Sequence, residues 1–87
     1  MTASGDLRET GDTNVEVTQL IADYLRRDAS QVPDHARLVE DLGADSLEIL
    51  EITLGLNERF GIELPAESVA DVRTVGGFCR LVQQQVR

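Results

Sequence analysis

Apolar residues along this chain fall into blocks separated by turn-forming residues, and each block has the spacing of a helix. Val17, Leu20, Ile21, Tyr24 and Leu25 repeat at intervals of three and four behind Thr13 and Glu16, a capping-box pair. The first helix is therefore predicted over Asn14–Arg27, with Arg26 and Arg27 near the negative end of its dipole. Asp45 with Glu48 three residues on repeats the capping pattern and opens a second helix, Ser46–Phe60, which Gly61 closes as a C-terminal cap. Pro65 suits the start of a short third helix, Pro65–Ala70. Thr74 caps a fourth, Val75–Val86, with Val75, Phe78, Leu81, Val82 and Val86 on its inner side. No alternating β pattern competes, so the predicted fold is all-α: a four-helix bundle of three long helices and one short one.

Two stretches lie outside this rhythm. Residues 1–12 are rich in Gly, Ser, Thr and acids, with Leu7 their one large aliphatic residue after Met1, and read as a disordered N-terminal tail. Asp28 to Ala44 has no long period and contains Pro33 and Gly43. A limp loop of that length is unusual inside a small domain, so Val32, Leu38, Val39 and Leu42 are expected to pin it along the bundle, with a short helical turn.

The second helix has two apolar sides when its residues are placed 100° apart. Ile49, Ile52, Leu56 and Phe60, with Thr53 beside them, should face the core. Leu47, Leu50 and Leu54 fall on the other side among Glu48, Glu51 and Glu58. Either the loop and the short helix cover that second stripe, or it is an exposed recognition surface, with leucines for contact and carboxylates for steering. Leu47 and Leu50 could also line the way to a space between the helices. Gly55, mid-helix, costs about 1 kcal/mol against alanine, and close helix packing would explain it.

Charge sharpens the second alternative. The chain of 87 residues carries a formal charge of −8, which argues against nucleic acid and anionic membrane as partners. Between Glu40 and Asp71 stand nine acids and the single base Arg59, so this segment accounts for the whole net charge. Such a face either aids solubility or docks basic partners. No apolar run is long enough to span a membrane and the first residues lack a signal-peptide layout, so a cytoplasmic protein is expected. Cys79, the one cysteine, falls among Val75, Phe78 and Val82 and reads as a packed small residue; with one cysteine and one histidine, His35, no metal site is expected.

The residue that carries chemistry is Ser46. It has no base to make it a nucleophile: the context Gly43-Ala44-Asp45-Ser46-Leu47 is not a hydrolase elbow, and His35 lacks the partners of a triad. An EF-hand beginning at Asp41 fails as well, because Gly43, Ser46 and Ile52 occupy positions that need a ligand, a glycine and a glutamate. No catalytic residue is assigned. A serine in the first turn of a helix is instead well placed to hold a phosphate, since unpaired N–H groups and the positive dipole end favour an anion. Gly43 and Ala44 would leave the approach open.

The run Leu38-Val39-Glu40-Asp41-Leu42-Gly43-Ala44-Asp45-Ser46-Leu47-Glu48 resembles the modification motif of acyl carrier proteins, whose core is Asp-Ser-Leu. The resemblance extends over Val15–Val86, through Phe60, Ile62-Glu63-Leu64-Pro65 and Thr74-Val75. It implies a carrier domain over 13–87 with 4′-phosphopantetheine on Ser46, transferred from coenzyme A by a phosphopantetheinyl transferase, and Asp45 and Leu47 beside the attachment point. It also implies acyl cargo held as a thioester and sheltered between helices. Docking to ketosynthase, acyltransferase and other basic-faced enzymes would use Glu48, Glu51, Leu54, Glu58 and Leu64. Departures from the commonest pattern are the tail, Gly55 in place of a small residue such as alanine, and Thr53 in place of an aliphatic one, which would alter the acyl cavity. The expected protein is a monomeric, free-standing carrier for fatty acid or polyketide biosynthesis. The alternatives are an aminoacyl or peptidyl carrier, and an unmodified helical adaptor that kept the fold.

Overall fold

The computed structural model describes the backbone of residues 2–86 and the side chains of residues 13–86. Four helices follow in order: α1 (Thr2–Leu25), α2 (Ser46–Phe60), α3 (Ala66–Ala70) and α4 (Val75–Val86). Three are long and one is short, as the spacing predicted. Among the described residues no strand forms; a lone antiparallel bridge joins Arg37 to Thr74.

Local chemistry sets most helix ends. At the start of α2 the Asp45 carboxylate accepts from the Glu48 N–H at 2.8 Å, and Glu48 Oε1 accepts from the Asp45 N–H at 3.1 Å. Gly61 ends α2 at φ +64°, a left-handed conformation that glycine takes without strain. Thr74 Oγ1 accepts from the Gly77 N–H at 3.1 Å and caps α4. Pro65 precedes α3 as its cap instead of forming its first residue, so α3 begins at Ala66.

α1 differs more. Its bounds begin at Thr2, so Thr13 lies inside the helix and not at its start. A capping box is a local signal, and a helix that continues upstream offers the same N–H groups backbone carbonyls. The stretch expected to be a disordered tail, 1–12, lies outside the residues whose side chains are described. The C-terminal end closes on Arg26, which adopts φ +59°. The Arg27 N–H donates to the Ala22 carbonyl at 2.9 Å and the Arg26 N–H to that of Asp23 at 3.2 Å, the paired bonds of a Schellman ending. An arginine there bears strain that glycine would not. Arg26→Gly is expected to stabilise the fold by about 0.5–1 kcal/mol, the relieved strain outweighing the added freedom of the unfolded chain; a raised urea midpoint with unchanged slope is the readout.

Side chains from all the long helices meet in one core. Val17, Ile21, Ile52, Leu56, Val75, Phe78 and Val82 are fully buried within it. Val86, expected on the inner side of α4, is exposed in its last turn, and Tyr24 lies 40 % exposed on α1. Tyr24 accounts for Gly55. A Cβ at position 55 would come within 2.9 Å of the Tyr24 hydroxyl and 3.1 Å of its ring, so the glycine lets the ring lie against α2. Cys79 is buried, and burial, its chief influence, raises its thiol pKa.

The long loop is pinned, with a 3₁₀ turn at Ala29–Gln31. Val32, Leu38 and Leu42 are buried as expected, joined by Ala36 and Ala44, whereas Val39 is 56 % exposed. Backbone bonds tie the loop to the start of α4. The Leu38 N–H donates to the Arg73 carbonyl at 2.9 Å, the Val75 N–H to Ala36 at 3.1 Å, and the Gly76 N–H to Asp34 at 2.8 Å. These bonds fix the segment that delivers Ser46.

Candidate functional site

The segment 37–45 winds into a tight turn before α2. Arg37 grips Asp41 with its Nε at 3.2 Å and Nη2 at 3.1 Å, and its backbone N–H donates to the same carboxylate at 2.9 Å. That side-chain hydrogen bond, reinforced by the backbone one, holds the Asp41 carboxyl below its usual pKa. Gly43 turns the chain at φ +70°, where nothing crowds a Cβ, so it is needed for the turn and not for clearance. Ala44 is buried and its N–H donates to the Leu38 carbonyl at 2.8 Å.

This winding leaves Ser46 exposed as the first residue of α2, directly after its cap Asp45. Its own N–H and that of Leu47 belong to the first turn, where helices lack internal acceptors. The capping pair already satisfies Glu48, and the Ile49 N–H donates to the Asp45 carbonyl at 3.0 Å. The site offers a free primary hydroxyl beside a helix dipole that favours an anion. His35 sits exposed in the loop, and among the described residues no group of three or more metal-ligating side chains occurs.

Next to Ser46 opens a cavity of about 430 Å³ between the loop, α2 and α3. Leu38, Val39, Ile49, Val69 and Val72 make its wall largely apolar, and Glu40 and Arg73 are its charged lining residues. Leu47 and Leu50 do not line it, contrary to the sequence-based expectation; Ile49 is the α2 side chain that does. Thr53 does not line it either. Its hydroxyl is buried and donates to the Ile49 carbonyl at 2.9 Å, so its polarity is spent within the helix.

The second stripe of α2 is open. Leu47, Leu50 and Leu54 are 61 %, 52 % and 55 % exposed, and neither the loop nor α3 covers them. Glu51 and Glu58 are exposed on the same helix, while Glu48 is half-buried and engaged in the cap. Leu64 does not belong to this surface. It is buried, its side chain part of the core and its N–H bonded to Asn57 Oδ1 at 2.9 Å. Sequence reasoning did not find the cavity wall from Val69 to Arg73, because the pairing that brings this segment to the loop joins residues with no local signature. No described helix is long and apolar enough to cross a membrane.

Comparison with known proteins identifies the family of this chain. The family described as a phosphopantetheine attachment site matches residues 15–82. An acyl carrier protein of Helicobacter pylori strain G27 is 38 % identical over 68 residues, covering 78 % of this chain and 87 % of that one. One from Wolinella succinogenes is 34 % identical over 68 residues, covering 78 % of this chain and 90 % of its own. A solved structure from Mycobacterium tuberculosis, assigned as an acyl carrier protein, superposes with a TM-score of 0.78 at 26 % identity, over 83 % of this chain and 96 % of that one. The apo doublet acyl carrier protein from prodigiosin biosynthesis matches with a TM-score of 0.76 at 22 % identity, over 87 % of this chain and 37 % of that one, a likeness of fold alone. The chain belongs to the acyl carrier protein family, and membership implies a covalently attached 4′-phosphopantetheine. Proteins of this family are carriers, not enzymes.

Proposed function

We propose that this chain is a carrier of acyl intermediates for fatty acid or polyketide biosynthesis and that Ser46 is its attachment residue. One observation carries the assignment: an exposed serine hydroxyl at the capped start of α2, beside a largely apolar cavity. In the transfer, Ser46 Oγ attacks the β-phosphorus of coenzyme A. A phosphodiester forms, adenosine 3′,5′-bisphosphate leaves, and the serine proton passes to the phosphopantetheinyl transferase. The residues present fit the group, with helix N–H groups at its phosphate and an apolar wall along which an arm and a short cargo can lie. When bound, the group supplies a thiol that takes cargo as a thioester.

The exposed α2 face, Leu47, Leu50 and Leu54 with Glu51 and Glu58, is the proposed docking surface for the transferase, ketosynthase, acyltransferase and other enzymes with basic patches. Asp45 and Glu48 act at the foot of the arm by holding the helix end, and Leu64 acts only through the core. The protein is proposed to work as a cytoplasmic monomer with residues 13–87 as the carrier domain.

The test is intact mass. Incubation with coenzyme A and a broad-specificity phosphopantetheinyl transferase is expected to add one phosphopantetheine per chain. A chain that folds yet gains no mass sinks the carrier reading in favour of an unmodified adaptor.

A further inference from the structure

The foot of the proposed arm is a crowded place for a negative charge. Asp45, the cap of α2, and Glu48 in its first turn lie on either side of Ser46 in the chain, and Glu40 lines the cavity beside it. A phosphodiester on Ser46 adds another anion to these three carboxylates. Like charges repel, and the helix dipole offsets only part of that repulsion. Among the residues lining the cavity one cation is present, Arg73.

Arg73 is held there by its backbone. Its carbonyl accepts the Leu38 N–H at 2.9 Å, and the adjacent Thr74 bridges Arg37, so the residue is fixed to the loop that leads to Ser46. Its side chain is exposed and, among the described residues, forms no ion pair. The ion pairs within 4.0 Å among the described residues are Arg37–Asp41 and Arg59–Glu16, and neither uses it. Glu40 shares the cavity with it, and Asp71 a second groove on its other side, yet neither lies within pairing distance.

We infer that Arg73 binds the phosphodiester on Ser46, pairing with it across the cavity mouth and holding the base of the arm over the apolar wall. The inference rests on Ser46 being the attachment residue. A guanidinium suits the task, since its planar fork of donors matches two phosphate oxygens. The consequence is directional: an arm tethered at its base toward α3 enters the cavity more readily than one splayed over the Leu47–Leu54 face.

The experiment compares apo and phosphopantetheinylated forms of the ¹⁵N-labelled chain, with Arg73→Ala and Arg73→Lys beside the native residue. Both variants keep the backbone carbonyl that accepts from Leu38, and overlaid apo amide spectra check that the fold is retained. Modification is expected to shift the Arg73 Nε–Hε resonance, with the shift lost in high salt. Arg73→Ala is expected to move the ³¹P resonance of the modified chain, and Arg73→Lys to restore most of its position. An Arg73 resonance unmoved by modification, or a ³¹P resonance blind to both substitutions, overturns the inference while leaving the carrier reading intact. A chain that gains no phosphopantetheine overturns both. If the Arg73 resonance moves only when the arm carries a carboxylated acyl group, the anion belongs to the cargo and the phosphodiester assignment is wrong.

Discussion

Ser46→Ala is expected to abolish the gain of phosphopantetheine while leaving the fold as stable as before, within about 0.5 kcal/mol. The two halves of this result come from different atoms. The hydroxyl supplies the oxygen of the phosphodiester, and alanine has none. Stability at this helix end depends instead on Asp45, whose carboxylate accepts from Glu48, and on Glu48, which returns the bond. Alanine is also the best helix former, so the first turn loses nothing by the exchange. Intact mass after exposure to coenzyme A and the transferase reads the first half, and a urea melt reads the second. Modification that persists in the variant would place the arm on another residue. A lost modification accompanied by a large fall in stability would mean that misfolding, and not the missing oxygen, explains it.

The same division between local and distant causes explains what the sequence revealed. Both ends of α2 were legible because their chemistry lies within three residues: Asp45 with Glu48 at one end, Gly61 at positive φ at the other. Thr74 marked α4 for the same reason. The start of α1 was not legible, since the Thr13–Glu16 pair is compatible with a helix interior as well as a helix start. Leu64 was assigned to the docking face by the resemblance alone; the link Gly61–Leu64 is too short to show a period, so nothing local said that its side chain is buried. Gly55 had no explanation until Tyr24 was seen lying against it from another helix. The lining of the cavity was out of reach for a related reason. Its far wall is brought to Ser46 by the bond between Leu38 and Arg73 and the bridge between Arg37 and Thr74, contacts that no periodicity encodes.

The largest effect expected on partner recognition comes from reversing Glu51 and Glu58 together to lysine. These two acids are the right choice because both are exposed and neither is engaged in a helix cap, whereas Glu48 holds the start of α2 and its reversal would also loosen that end. Against a basic-faced enzyme, each reversal replaces an attraction with a repulsion, which slows encounter and disfavours the docked register. A loss of about tenfold in kcat/KM for the transferase at low salt corresponds to roughly 1.4 kcal/mol, within the reach of two charge reversals at an interface. The deficit should narrow as ionic strength rises, because screening shortens the range of these forces to about 8 Å near physiological salt. Leu54→Ala provides the contrast. It removes exposed apolar contact from the same face, so its deficit should persist at every salt concentration. Equal rates for the double reversal and the native chain at low salt would show that the acids serve solubility alone. A salt-independent loss in the double reversal would mean that Glu51 and Glu58 act by contact and not by steering.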